Sequence, residues 1–256
     1  MHTPAEIFDL ASAAGEKKIK ISLVNKFILG FIAGALIGLG YLANLRITAS
    51  IPASMGSLAN ILGGLIFPVG LILLLLAGGE LATGNMMAVG TSMFAKKIKV
   101  SDYVINILTI TVANVIGGIA AAYFLGHVTG LTTDGIYLQR LAAITASRVD
   151  PSFLAKFVSG IGCNWFVGLA VWLNFGAKDA SGKIWAIWFP VMTFVAIGFQ
   201  HSIANAFMLP AAVFEGLINW GDFFANFIPV WLGNIIGGTG LVAGLYYLSF
   251  KKNQGK

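Results

Sequence analysis

Two ionisable residues stand inside long apolar stretches, which makes them the first candidates for chemistry. Glu80 follows Gly78 and Gly79 in one stretch, and His201 follows Gly198 in another. If these stretches cross a membrane, a charge at the bilayer centre costs at least about 2.5–3.5 kcal/mol, so such residues are as a rule paired or functional. We expect His201 to line a pore or to handle protons. We expect Glu80 to be a structural clamp that accepts hydrogen bonds from backbone N–H groups at a helix break.

Two polar residues accompany this pair. Thr83 lies three residues after Glu80, and Asn164 interrupts an otherwise apolar segment. Both residues could face a solute. Both could equally be hydrogen-bonding partners between helices, worth about 0.6 kcal/mol each.

Enzymatic and metal chemistry are poorly supported by the remaining candidates. Ser202 adjoins His201, but neighbouring residues on a helix do not face each other, so they are poorly placed as nucleophile and base. A metal transporter would need several histidines at depth, whereas His2 is terminal and His127 is near a loop. We therefore expect no catalytic residue, no metal site and no cofactor.

The composition explains where these residues must sit. The chain of 256 residues is 57% hydrophobic and 10% charged, whereas soluble domains carry about 25% charged residues. Its net charge of +6 comes from short Lys and Arg clusters between apolar runs, without interleaved aromatic residues. This pattern is not typical of nucleic-acid binding, so we expect membrane lipid and no nucleic acid as a partner.

Six apolar spans are predicted, at approximately 27–45, 58–95, 103–126, 153–175, 185–217 and 224–249. A straight span needs only about 20–25 residues. The second and fifth are longer than that, so each must re-enter or break inside the membrane. Because Glu80 and His201 fall near their middles, we expect broken helices there.

The chain begins with a separate short helix. Thr3 is a helix cap, Pro4 occupies the first turn and Glu6 completes a capping box, while Gly15 is the expected end. The predicted domains are residues 1–24 as an interfacial amino-terminal helix, 25–250 as the transmembrane domain and 251–256 as a tail.

The distribution of basic residues predicts the orientation. With six spans and an inner amino terminus, the inner side collects Lys17, Lys18, Lys20, Lys26, Lys96, Lys97, Lys99, Lys178, Lys183, Lys251, Lys252 and Lys256. The outer side keeps Arg46, Arg140, Arg148 and Lys156. Positive charge concentrates on the cytoplasmic side of membrane proteins, so both termini are expected to be cytoplasmic.

An internal repeat relates the two halves of the chain. The sequence Asn-Val-Ile-Gly-Gly at 114–118 recurs as Asn-Ile-Ile-Gly-Gly at 234–238, in the third and sixth spans. Three spans per half is an odd number, so the halves must insert in opposite directions. This inverted repeat is typical of channels and transporters and places the solute site near the midplane. The predicted fold is an all-α membrane protein of six helices in two inverted three-helix repeats, with broken second and fifth helices.

Three blocks resemble the formate/nitrite transporter family. Residues 76–85 (LAGGELATGN) and 160–172 (GIGCNWFVGLAVW) are similar to the two signatures of the family, and residues 198–207 (GFQHSIANAF) look like its fifth-span break. The blocks occur in order across nearly the whole chain. The resemblance implies an aquaporin-like protomer with its own pore, a homopentamer in the bacterial inner membrane, and passage of a small monovalent anion such as formate, nitrite or hydrosulfide.

The resemblance also implies residue roles. His201 matches the central histidine of the family, Thr83 the threonine that faces it, and Asn164 lies nearby. Arg148 stands where many members carry a lysine thought to attract the anion. Gln200, which we expect to be a structural anchor like Glu80, stands where a glutamate is common. Ala82 is small where a bulky phenylalanine is common. The residues at the two apolar constrictions would be Phe67, Leu71, Leu81 and Phe194.

The resemblance leaves the transport mode open. A desolvated anion would cross the constrictions at high cost, so His201 with Thr83 and Asn164 would exchange a proton or a hydrogen bond with the solute. The nearest alternative is a water- or glycerol-type channel, but its two Asn-Pro-Ala breaks are absent from this sequence.

Overall fold

The computed structural model describes residues 1–55 and 57–251, and these residues form an all-helical bundle without strands. The helices are α1 (Pro4–Lys20), α2 (Leu23–Thr48), α3 (Leu58–Ile66), α4 (Val69–Ala77), α5 (Ala82–Phe94), α6 (Val100–Ala120), α7 (Gly135–Val149), α8 (Phe153–Gly176), α9 (Ala180–Ile197), α10 (Ser202–Phe214), α11 (Trp220–Ile235) and α12 (Leu245–Phe250). A short 3-10 turn covers Ala53–Met55, and π-helical turns at Ala121–His127 and Ile236–Gly244 extend α6 and α11.

The six predicted spans are confirmed within the described residues. The helices long and apolar enough to cross a membrane are Leu23–Thr48, Leu58–Ala77, Val100–His127, Phe153–Gly176, Ala180–Ile197 and Trp220–Phe250. Both predicted breaks are also present, since α4 ends at Ala77 before α5, and α9 ends at Ile197 before α10. Gly78 and Gly198 stand at the two breaks with φ of 97° and 94°, a backbone conformation that favours glycine.

One discontinuity was not predicted. The second span is interrupted a second time, at Phe67 and Pro68 between α3 and α4. Proline removes a backbone donor and clashes with the preceding turn of a helix, which accounts for the bend. The bend matters because it places Phe67 in the bundle interior, where the side chain is 3% exposed.

The two halves of the bundle use the same helix pairing. The helices α2 and α6 cross closely in the first half, as do α8 and α11 in the second. A Cβ added to Gly34 would overlap the carbonyl of Asn114, and one added to Gly233 would overlap the carbonyl of Phe157. Small residues that allow backbones to approach are the main means by which membrane helices associate.

The amino-terminal helix differs from its prediction in length. The capping box of Thr3 and Glu6 is confirmed, but α1 continues through Gly15 to Lys20. Gly15 does not end the helix because it is a contact point, where an added Cβ would overlap Ser92 and the carbonyl of Ala88 on α5. The helix is thus part of the bundle, packed against α5 and α8. The expected tail at 251–256 lies outside the described residues from 252 onward.

Each break is held by an asparagine from the repeated motif. The Asn114 Nδ2 donates to the carbonyls of Glu80 at 2.8 Å and Gly30 at 2.7 Å, and its Oδ1 accepts from the N–H of Ala82 at 2.8 Å. Asn234 does the same for the second break, bonding the carbonyls of Gln200 and Gly160 and the N–H of Ser202. Backbone groups at membrane depth have no water to bond, so these side chains replace the missing helical partners.

We therefore expect Asn234→Leu to lower stability markedly. The change leaves the Ser202 N–H and the Gln200 carbonyl buried without partners, at about 1–3 kcal/mol each. Since about 1 kcal/mol corresponds to about 2–4 °C in this size range, the apparent Tm should fall by at least about 4 °C. The measurement is thermal unfolding of the purified protein by tryptophan fluorescence. Asn60→Leu, at an exposed position of α3, is the matched control, and equal melting of the two variants would contradict the role of Asn234.

Candidate solute pathway

Two cavities open at opposite ends of the bundle. The first, which we call the arginine vestibule, has a volume of about 310 Å³ and is lined by Arg140, Arg148, Phe67, Phe194 and His201, among others. It lies beside α7 and the carboxyl end of α2.

The second cavity is the counterpart of the first in the other half. This lysine vestibule has a volume of about 180 Å³ and is lined by Lys18, Gly78, Leu81 and Asn85, among others. It lies beside α1 and the carboxyl end of α8. Each vestibule therefore adjoins one helix break and carries at least one basic side chain.

The inverted repeat is visible in the hydrogen bonds below each vestibule. Asn85 Nδ2 donates to Glu80 Oε2 and to Asn106 Oδ1, across separations of 5 and 21 residues. Asn205 Nδ2 donates to Gln200 Oε1 and to an asparagine across the same separations of 5 and 21 residues. Glu80 and Gln200 thus occupy equivalent positions in the two halves. The residue equivalent to His201 is Leu81, not Glu80.

Glu80 forms a buried ion pair in the first half. Its Oε1 lies 2.6 Å from Lys18 Nζ, with 7% of the carboxylate side chain and 21% of the lysine side chain exposed. Its other oxygen accepts from Asn85 at 2.8 Å. The sequence predicted backbone N–H groups as the donors to Glu80, but its donors are the side chains of Lys18 and Asn85. The backbone N–H of Ala82 at the break donates to Asn114 instead.

Gln200 makes a neutral version of this arrangement. Its Oε1 accepts from Asn205 and Asn226 at 2.9 and 2.8 Å, and its N–H donates to Ser159 Oγ at 3.0 Å. Arg148 lies beside it but donates from Nη1 to the carbonyl of Gly198 at 2.7 Å. The second half therefore has a basic residue at the break without the carboxylate that accompanies it in the first.

His201 and Thr83 form one hydrogen-bonded pair that joins the two halves. Thr83 Oγ1 lies 2.9 Å from His201 Nε2, and both side chains are buried. His201 is also the N-cap of α10, where its Nδ1 accepts from the N–H of Ala204 at 3.0 Å. Because Nδ1 is an acceptor, the neutral imidazole carries its proton on Nε2, and this N–H donates a hydrogen bond to Thr83. The Thr83 hydroxyl hydrogen is then free to point elsewhere.

Asn164 lies beside this pair. Its Nδ2 donates to the carbonyls of Asn234 at 2.7 Å and Thr83 at 3.3 Å, so it ties α8 to both halves. Its Oδ1 is buried without a hydrogen-bond partner in the described structure. The helix–helix role considered from the sequence is therefore present, and one acceptor is left over.

The four expected constriction residues are all buried, but they occupy different places. Phe67 and Phe194 meet edge to face with ring centroids 6.0 Å apart, and Phe194 lies 6.1 Å from the ring of His201. Leu81 lines the lysine vestibule. Leu71 belongs to the apolar core cluster that also contains Phe67, Leu81 and Phe194, but it lines neither cavity. The structure thus brings Phe67 and Phe194 together beside His201 and places Leu81 at the other cavity.

Sequence reasoning missed the residues that support these side chains. They are Lys18, Asn85, Asn106, Asn205, Asn226 and Arg140. The signal that could have found most of them is the repeat itself, because Asn85 and Asn205 stand five residues after Glu80 and Gln200. In the part of the chain that the structure describes, there is no group of three His, Cys, Asp or Glu side chains able to hold a metal ion.

Comparison with known proteins identifies the family. A profile described as Formate/nitrite transporter matches residues 5–248. The chain belongs to the formate/nitrite transporter family.

Individual relatives and solved structures agree with this family. Over 98% of its length the chain is 50% identical to "Uncharacterized transporter YrhG" of Bacillus subtilis, covering 94% of that protein. Over 99% of its length it is 46% identical to "Formate channel BtFdhC" of Bacillus thuringiensis, covering 97% of it. A solved structure titled "Pentameric formate channel with formate bound" matches with a TM-score of 0.76 and 29% identity, over 89% of this chain and 97% of that one. The predicted membrane fold is thereby confirmed for this family member.

The contribution of His201 as the cap of α10 can be tested apart from its hydrogen bond to Thr83. We expect His201→Asn to retain the cap of α10, because asparagine is a favoured N-cap residue, and to melt within about 2 °C of the wild type. His201→Leu reproduces the equivalent Leu81 and leaves the Ala204 N–H unpaired, so its apparent Tm should fall by about 2–6 °C. Thermal unfolding in detergent measures both variants. Equal melting temperatures would show that the cap contributes nothing.

Proposed function

We propose that this family member is a passive channel for small monovalent anions, with formate as the leading substrate and nitrite and hydrosulfide as further candidates. The proposal is supported by the 46% identity to a protein named as a formate channel and by the likeness to a channel solved with formate bound. No step of it requires a catalytic residue or a cofactor.

The observation that carries the proposal is one polar pair enclosed by apolar side chains, with basic residues at both mouths. Arg148 lines the arginine vestibule, where its positive charge concentrates anions, whereas Lys18 at the other mouth is paired with Glu80. Phe67 and Phe194 line the arginine vestibule together with His201 and form an apolar constriction beside the His201–Thr83 pair. An ion with a full hydration shell cannot pass such a gap, and a bare ion loses its hydration energy there. A small weak acid crosses more easily because it can be neutral in the gap.

The hydrogen-bond pattern favours a donor role for His201 over a proton-lending role. Nδ1 accepts a backbone bond, so the ring holds a single proton, on Nε2. Giving up that proton would leave a buried imidazolate, which is a costly anion. Donating a hydrogen bond to Thr83 creates no such anion. The Thr83 hydroxyl can in turn donate a hydrogen bond to the solute. Asn164 contributes to the same site by fixing the Thr83 carbonyl.

We infer a homopentamer in the bacterial cell membrane with both termini in the cytoplasm. The assembly is supported by the pentameric formate channel among the structural neighbours. The orientation is supported by the clustering of lysines at the α1 end of the bundle. Large apolar side chains such as Phe31, Ile105 and Val112 are exposed along the spans and would face lipid or neighbouring protomers. Native mass spectrometry of the purified protein tests the subunit number.

The substrate is tested by stopped-flow uptake into proteoliposomes. We expect saturable or linear uptake of formate well above that of empty vesicles, slower or equal uptake of nitrite and hydrosulfide, and no uptake of glycerol. Thr83→Val replaces the hydroxyl group with a methyl group of similar size and should lower formate uptake at least about tenfold, equivalent to about 1.4 kcal/mol. Uptake of glycerol without that of any anion would replace the proposal with a neutral-solute channel.

The pH dependence distinguishes hydrogen bonding from proton transfer. At pH values above the pKa of a weak acid, its neutral fraction rises about tenfold each time the pH falls by one unit. Formate uptake should therefore rise as the external pH falls from about 7.5 to about 5.5. His201→Asn should lower the rate but keep this slope, because the proton comes from solution. A flattened slope in the His201→Asn variant would show that the histidine itself exchanges the proton.

A further inference from the structure

Two guanidinium groups converge on the arginine vestibule. Arg140 and Arg148 both lie on α7, and both line the cavity of about 310 Å³. Its polar lining includes Tyr41, Asn44 and Ser147, and no aspartate or glutamate stands among its described lining residues. The vestibule is therefore a polar, positively charged concavity.

The donors of the two arginines are only partly used. Arg148 donates from Nη1 to the Gly198 carbonyl, whereas its Nε is buried without a hydrogen-bond partner in the described structure. Arg140 donates from Nε to Thr48 Oγ1 at 3.0 Å. Within residues 1–55 and 57–251, neither arginine forms an ion pair with a carboxylate. Several N–H groups of both guanidinium groups thus remain for a ligand.

In the lysine vestibule, by contrast, the basic side chain is neutralised by a carboxylate. There the carboxylate of Glu80 neutralises Lys18 at 2.6 Å. The equivalent position beside Arg148 is the neutral Gln200, and Arg140 adds a second charge. Burial lowers the pKa of Arg140; nearby Tyr41 opposes this effect, and repulsion from Arg148 adds to it. An anion placed between the arginines would relieve that repulsion.

We propose that the arginine vestibule is a binding site for small dicarboxylates, which bridge Arg140 and Arg148 and block the pore without crossing it. Arginine is the residue best suited to two-pronged recognition of a carboxylate. A dianion fits two unpaired positive charges, and a three-carbon diacid is far smaller than the cavity. It cannot continue past Phe67 and Phe194, because the cost of removing an ion from water rises steeply with its charge. The binding step does not rest on the proposed function, whereas the block does.

Malonate is the probe, and propionate is the control of similar size with a single charge. Isothermal titration calorimetry of the purified full-length protein at about pH 7.5 should show malonate binding at least tenfold tighter than propionate. Arg140→Gln should weaken malonate at least tenfold, and Arg140→Lys should weaken it less. Arg46→Gln is the matched control, because Arg46 stacks on Tyr137 and bonds the Leu131 carbonyl outside this cavity, and it should retain wild-type affinity.

The block is measured separately from binding. Malonate added on the α7 side should inhibit formate uptake, each variant being compared with its own uninhibited rate, and malonate on the α1 side should not. Equal affinity of propionate and malonate, or an unchanged malonate affinity in Arg140→Gln, would overturn the site. Malonate binding in a protein that passes no formate would overturn the proposed function alone, and formate passage with no malonate binding would overturn this inference alone.

Discussion

The structure depends on the satisfaction of backbone groups at two places where helices end inside the membrane. Hydrocarbon offers no hydrogen bonds, so a carbonyl or N–H freed by a break must find a partner within the protein. Asn114 and Asn234 provide those partners for both sides of each break, through bonds that span 32 and 34 residues in either half. Without these amides the glycine-containing breaks would expose unpaired backbone at membrane depth, and Thr83 and His201 would have no fixed positions.

The two halves share this scaffold but differ where function enters. Leu81 and His201 occupy equivalent positions, and only the histidine caps its helix while reaching a residue of the other half. Glu80 and Gln200 are likewise equivalent, yet one is charged and paired with Lys18 while the other is neutral beside Arg148. A nearly symmetric scaffold therefore carries an asymmetric pathway, with one polar pair at its centre and more unpaired positive charge at the α7 end.

The sequence predicted features that follow from local pattern. Apolar run length located the spans, and the excess length of two of them located the breaks, because these signals need no knowledge of tertiary contacts. The extension of α1 past Gly15 was missed, since glycine there serves a contact with α5 that only the fold creates. The partner of Glu80 was missed for the same reason, as Lys18 stands 62 residues earlier. The pairing of Thr83 with His201, 118 residues apart, came from family resemblance and not from spacing.

The position of each asparagine has a consequence for how the chain is made. The half-helices α5 and α10 contain 13 residues each, which is too short to cross a bilayer alone. During synthesis the break before α5 leaves the ribosome first, and the Asn114 amide that bonds Glu80 follows 34 residues later. The backbone groups freed at the first break therefore gain their Asn114 partner only after α6 has been synthesised, so this hydrogen-bonded core is complete only when α2, α5 and α6 are all present.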